Sequence, residues 1–231
     1  MEAEKPVLEK DAAYIVFQVA DGDNLLHSLV YEPFTICEDE HFGSVPATWV
    51  LNPILAELAP RAMEWHTRVL RGAGQETACM LSDGSPQSER YEGFAKYCAI
   101  VKKYMAMAGM TAMKQMLEAE AVAWNIRPDA ILGGYSGADY RGISAYEYHL
   151  DGETFHIGSR PIGECDIAEI IRRAPEGKPL FLSIYSGTAS LNVATRIRRY
   201  AREWTEALPE KKLRFVTASQ AAALYREWIG A

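Results

Sequence analysis

The side chains in this sequence best suited to chemistry fall in short stretches, most of which close an apolar run. "YIVFQVADGDN" ends in Asp21, Asp23 and Asn24, and "TACMLSDGSP" delivers Ser82 and Asp83. "ILGGYSGADY" supplies Tyr135, Ser136, Asp139 and Tyr140; "FLSIYSGTASLN" supplies Tyr185, Ser186 and Asn192; "TWVLN" adds Trp49 and Asn52. Several carboxylates in one cleft cannot all ionise cheaply, so one keeps its proton near neutral pH. A protonated and an ionised carboxylate facing each other are the acid and the base or nucleophile of glycosidic cleavage. On this reading Asp21 or Asp23 is base or nucleophile and Asp83 or Asp139 the acid. Asn24, Trp49, Tyr135, Ser136, Tyr140 and Tyr185 bind the sugar. No cofactor is required. The alternative use of the same oxygens is to hold a hard cation, Mg²⁺, Ca²⁺ or Mn²⁺, on Asp21, Asp23 and Asp83, as in a metal-assisted ester or phosphate hydrolase. A sugar-binding barrel without catalysis is the third reading. Against all three stands the turn propensity of Asp-Gly and Asp-Asn, which needs no function.

These residues share a mouth only if the elements before them lie side by side. "AAYIVFQVA" is a continuous apolar run, as in a strand covered on both faces. "VPATWVL" is the next strand, and Asn52-Pro53 then opens a helix that Pro60 interrupts. "TACML" is followed by a long helix from Ser85-Pro86, whose apolar positions recur at three and four. The Met-rich "YMAMAGMTAMKQM" continues that spacing and reads as adaptable core packing. "AVAWN" and "DAILGG" are short strands, and "ISAYEYHLDGETFHIG" is a hairpin turning at Asp151-Gly152. "DIAEIIRRA" is a helix, "PLFLSIYSG" a strand, and "VATRIRRYAREWTEAL" a helix with a solvated basic face. "KLRFV" is the last strand, and Thr217 and Gln220 have capping-box spacing before the closing helix. Strands alternating with helices predict an α/β fold: an irregular seven- or eight-stranded parallel β/α barrel. It is expected as one domain over residues 12–231 behind an N-terminal extension, 1–11. In such folds the site lies at the carboxyl ends of the strands.

The remaining features narrow the partners. A net charge of −7 argues against nucleic acid. No run approaches a membrane span, and the charged N-terminus "MEAEKPVLEKD" has no signal-peptide pattern. A soluble, cytoplasmic protein is therefore expected, or an exported one if a leader has been removed. Its partner is expected to be a carbohydrate or another small molecule. Cys37, Cys79, Cys98 and Cys165 form no C-x-x-C pair. His27, His41, His66, His149 and His156 form no H-x-x-x-H pair; His27, four residues after Asp23, is expected to be exposed or capped. Neither Ser136 nor Ser186 sits in a G-x-S-x-G elbow, so both are weak nucleophile candidates.

"FQVADGDN", "TWVLNPILAELAP" and "ILGGYSGADY" occur in the order and at about the spacing seen in the GxGYxYP family of glycoside hydrolase-like proteins, which the chain resembles from about Ala12 onward. The closing "LRFVTASQAAALYREW" is similar to the last strand and helix of polysaccharide deacetylase-like barrels. The resemblance implies a β/α barrel acting on sugars. The chain departs from it at Asp139, which replaces a signature glycine, and lacks the terminal Tyr-Pro, which implies a different substrate. The Asp and H-x-x-x-H zinc triad of the deacetylases cannot be placed, so zinc-dependent deacetylation of the usual kind is not expected.

Overall fold

The computed structural model describes residues 6–20, 25–80, 94–108, 112–114, 128–133, 148–163, 166–187 and 192–231. Its centre is β1 (Ala12–Ala20), every measured residue of which is buried. On one side β1 pairs in parallel along its whole length with β9 (Leu180–Gly187), giving eight Cα partners from Ala13↔Leu180 to Ala20↔Gly187. On the other side it pairs first with β10 (Lys212–Phe215) and then with β2 (Ala47–Leu51). From β2 the parallel series continues through β3 (Glu76–Met80), β4 (Ala112–Lys114), β5 (Ala130–Leu132) and β7 (Thr154–Ile157).

Closure depends on one residue. Gly158 alone separates β7 from β8 (Ser159–Pro161), and β8 pairs in parallel with β9. Residues 154–161 thus meet β5 with their first half and β9 with their second. The pairings lead from β1 round to β9 and back to β1, a ring of seven strands. β6 (Tyr148–Asp151) pairs antiparallel with β7 as a hairpin that turns at Gly152, φ 57°. The turn is where the Asp-Gly signal places it.

Alternation along the strands creates two cores. Ala13, Ile15, Phe17 and Val19 face the helices, while Tyr14 and Val16 face inward with Phe155 and Phe181. The outer layer comprises a π-helical segment (His27–Ile36) and α1 (Leu55–Leu58), α2 (Pro60–Gly72), α3 (Phe94–Ala108), α4 (Ile167–Arg172) and α5 (Val193–Ala207). α1 and α2 are one expected helix divided at Ala59 by Pro60. α6 (Ala218–Ile229) starts in a capping box of Thr217 and Gln220 and packs on the inner core instead. Its Tyr225 lies against Phe155 and Phe181 (centroids 4.8 and 5.6 Å), and Tyr14 stacks on Phe181 at 5.1 Å. These rings seal the amino ends of the strands. The Tyr14 hydroxyl donates to Val7 O (3.1 Å) and accepts from Glu9 N (2.6 Å), which ties down the preceding segment.

One element differs from expectation. The Met-rich stretch does not stay helical: α3 ends at Ala108 and Ala112–Lys114 is strand β4. A segment apolar on all sides satisfies strand and helix alike, and pairing with β3 and β5 decides between them. "AVAWN" lies outside the described residues.

Candidate active site

Going from the amino to the carboxyl ends, the inner face changes character after the aromatic layer. β1 presents Gln18 on the face of Tyr14 and Val16, and its side chain is 0% exposed. Ser159 Oγ donates to Gln18 Oε1 at 3.0 Å, and the Ser159 and Ser183 hydroxyls are 2.7 Å apart. Three strands, β1, β8 and β9, therefore contribute one buried polar floor. Gln18 Nε2 has no hydrogen-bond partner among the described residues. Leaving such a donor unmet costs about 1–3 kcal/mol. Tyr185 follows Ser183 on the same face of β9; it is half-buried against the inner core, and its carbonyl accepts from Ile162 N at 2.7 Å.

The geometry of the floor depends on a close approach. A side chain on Gly133, just after β5, would put its Cβ 2.9 Å from Ser159 N and 3.1 Å from Gly158 Cα. Only glycine lets β5 and β8 meet there, while alternation along the strand puts Ser159 on the inward face of Phe155 and Ile157. At the end of β9, Arg196 from the first turn of α5 donates to Ser186 Oγ (2.8 Å) and to Gly187 O. Ser186 is fully buried in that contact and is not placed as a nucleophile.

Of the residues expected to do chemistry, Asp21, Asp23, Asn24, Asp83, Tyr135, Ser136, Asp139 and Tyr140 lie outside the described residues. In sequence, Asp21 directly follows β1 and Asp83 comes three residues after β3. Tyr185 is at the mouth. Trp49 is not: it is 2% exposed, packs edge-on to Phe42, and donates Nε1–H to Gln75 Oε1 at 3.0 Å. A ring held this way joins the sheet to its outer layer and offers no face to a sugar.

His27 is buried, not exposed. It belongs to a cluster that the spacing of residues did not reveal: Glu32, 3% exposed, lies between His27 Nδ1 (3.5 Å) and His66 Nδ1 (3.4 Å). His66 Nε2 is 2.6 Å from Ser28 O and must be the donor, since a carbonyl only accepts. The cluster is built on the π-helical segment, in which Pro33 removes one donor and Cys37 N bonds Glu32 O five residues back. The signal was a proline inside an apolar, histidine-bearing stretch, but π geometry has no sequence pattern of its own.

Thiol chemistry is excluded at Cys37 and Cys79. Burial pushes the Cys37 pKa up to about 12 and raises that of Cys79 further, so neither provides a thiolate at neutral pH. One group of side chains among the described residues is spaced to hold a metal ion: His149, Asp151 and His156, on the β6–β7 hairpin. Burial, and then the neighbouring His149, push the His156 pKa down to about 4. No described helix is long and apolar enough to cross a membrane.

No protein-family model matches the chain, and no curated protein sequence matches it significantly. Solved structures are similar to it in fold. A "putative hydrolase" from Bacteroides thetaiotaomicron VPI-5482 aligns with a TM-score of 0.66 at 16% identity, over 98% of this chain and 47% of that one. The chain thus spans about half the length of that relative. A "putative polysaccharide deacetylase" from Mycobacterium smegmatis aligns with a TM-score of 0.53 at 13% identity, over 95% of this chain and 92% of that one. At such identities the likeness is one of fold: a mostly parallel sheet wrapped by helices, as in a β/α barrel.

Proposed function

We propose that this protein is a carbohydrate-active hydrolase that cleaves glycosidic bonds at the carboxyl ends of its barrel strands. The observation that carries the reading is the Gln18–Ser159–Ser183 floor, with a buried carboxamide nitrogen that has no partner among the described residues, on the inner face beyond the aromatic layer. Hydroxyls and amides suit a polyhydroxylated ligand, and Tyr185 beside them suits the C–H face of a sugar. The fold supports the reading, since β/α barrels place their sites at that end. So does the resemblance of "FQVADGDN" and "ILGGYSGADY" to the GxGYxYP family.

In the proposed step, Asp83 or Asp139 gives its proton to the glycosidic oxygen as the C–O bond breaks. Asp21 or Asp23 either takes a proton from the attacking water or attacks the anomeric carbon itself, and in the second case water, deprotonated by the former acid, then cleaves the glycosyl-enzyme bond. Asn24, Tyr135, Ser136, Tyr140 and Tyr185 hold the sugar. The test is a panel of aryl-glycosides and oligosaccharides, read for new reducing ends and for released acetate. Reducing ends that vanish in Asp21→Asn and Asp23→Asn support the mechanism; activity intact in both variants removes it. Acetate without reducing ends would instead favour the deacetylation named for the Mycobacterium smegmatis neighbour.

A further inference from the structure

We propose that His149, Asp151 and His156 form a binding site for a divalent transition-metal ion on the outer face of the β6–β7 hairpin, separate from the barrel mouth. The period of two along a strand sets the first two ligands. His149 and Asp151 share one face of β6, while Tyr148 and Leu150 turn the other way and pack on the inner core. The antiparallel register sets the third, because His156 of β7 lies directly across from His149. The two imidazoles stack with centroids 4.9 Å apart and planes 7° from parallel. One ligand atom from each of the three residues lies within 4.8 Å of the others.

A second observation points to an occupant. His156 is 4% exposed, and its Nε2 is buried without a hydrogen-bond partner among the described residues. Metal–ligand bonds of about 2.0–2.2 Å place neighbouring donors about 3.3 Å apart, so the group must close by about 1.5 Å. His149 and Asp151 reach solvent and can rotate inward, whereas His156 is held by its burial. Two nitrogens and one oxygen favour Zn²⁺, Co²⁺, Ni²⁺ or Cu²⁺ over Mg²⁺ and Ca²⁺, which take oxygen alone. Three protein ligands leave a further position for water. The ion would clamp β6 to β7, below the point where Gly158 hands the strand over to β9.

The test uses the full chain stripped with chelator, titrated with Zn²⁺ and with Co²⁺ as a spectroscopic probe. Expected are one ion per chain with micromolar or tighter affinity, a cobalt d–d band, and a rise in melting temperature with Zn²⁺ but not with Mg²⁺. His149→Ala and Asp151→Asn, both at exposed positions, should each weaken binding about tenfold or more and keep the fold. Zn²⁺ binding that is absent in the parent, or unchanged in both variants, overturns the assignment. So does binding that survives His149→Ala but is lost in the Asp21→Asn/Asp23→Asn double variant, which would put the ion at the mouth.

Discussion

Gln18→Met tests whether the barrel floor is kept for a ligand. Methionine is close to glutamine in length and unbranched, so it fills the same space without the amide. The change removes the bond that Ser159 donates to Gln18, worth about 0.5–1.5 kcal/mol. Ser159 is not stranded, because Ser183 lies 2.7 Å from its hydroxyl. The same change removes the unpartnered Nε2, whose burial costs about 1–3 kcal/mol. The balance runs from about 0.5 kcal/mol of destabilisation to about 2.5 of stabilisation, centred near 1 kcal/mol more stable. Catalysis should move the other way. If the amide bonds a sugar hydroxyl in the transition state, its loss costs about 1–2 kcal/mol, or about five- to thirtyfold in kcat/KM. Urea denaturation gives the first quantity and turnover of the best substrate from the glycoside panel the second. A Met variant that is less stable by more than about 1 kcal/mol but equally active would refute the reasoning, because the amide would then be a structural bond.

Other expectations follow from single contacts. Asp39 caps α5 from a distance: its carboxylate accepts from Thr195 N (3.2 Å) and Thr195 Oγ1, and from His41 N (2.8 Å), while Asn192 at the helix start gives no side-chain cap. Burial pushes the Asp39 pKa up, the bonds from His41 and Thr195 outweigh it, and the net value lies below the ordinary one. Asp39→Ala should cost about 1–2 kcal/mol at neutral pH by denaturation. That stability is complete above the unfolded pKa of about 4 and is lost as pH falls through the lower folded value, so parent and variant should converge in acid. Glu32→Ala leaves His27 and His66 without their shared carboxylate and should cost about 1–3 kcal/mol, which a chemical denaturation midpoint would report. Gly133→Ala drives a Cβ into the Ser159 backbone and should cost about 1–3 kcal/mol; a variant as stable as the parent would show that β5 and β8 have room to spare.

The strands and helices were legible where one period dominates. The run "YIVFQVA", the Pro60 break, the Asp151-Gly152 turn and the Thr217–Gln220 box each have a local cause that tertiary contacts do not override. β4 was not legible, since the methionine-rich stretch around it suits a helix and a strand equally. The floor was hidden for a different reason. Gln18, Ser159 and Ser183 are 141 and 24 residues apart in successive pairs, and nothing in any one stretch says that their strands become neighbours. Trp49 was read as lying at the carboxyl end of the second strand, but alternation along β2 turns its indole into the outer layer toward Gln75. His27 was judged against Asp23, whereas its described partner Glu32 lies further along the same segment.

The two ends of the inner core illustrate what the barrel is built to do. At the amino ends, Tyr14, Phe155, Phe181 and Tyr225 fill the space with stacked and edge-on rings, and the Tyr14 hydroxyl meets backbone partners. The same chain can therefore satisfy a buried polar atom where it needs to. Toward the carboxyl ends it leaves an amide half-met, although valine, leucine or methionine would fit a seven-stranded ring at lower cost. Gly133 then keeps β5 close enough to β8 for a second polar group, Ser159, to stand beside that amide. Gly133 serves the closure of the fold as well, but the amide nitrogen, without a partner among the described residues, does not. A donor left that way is the one for which a partner from outside is proposed.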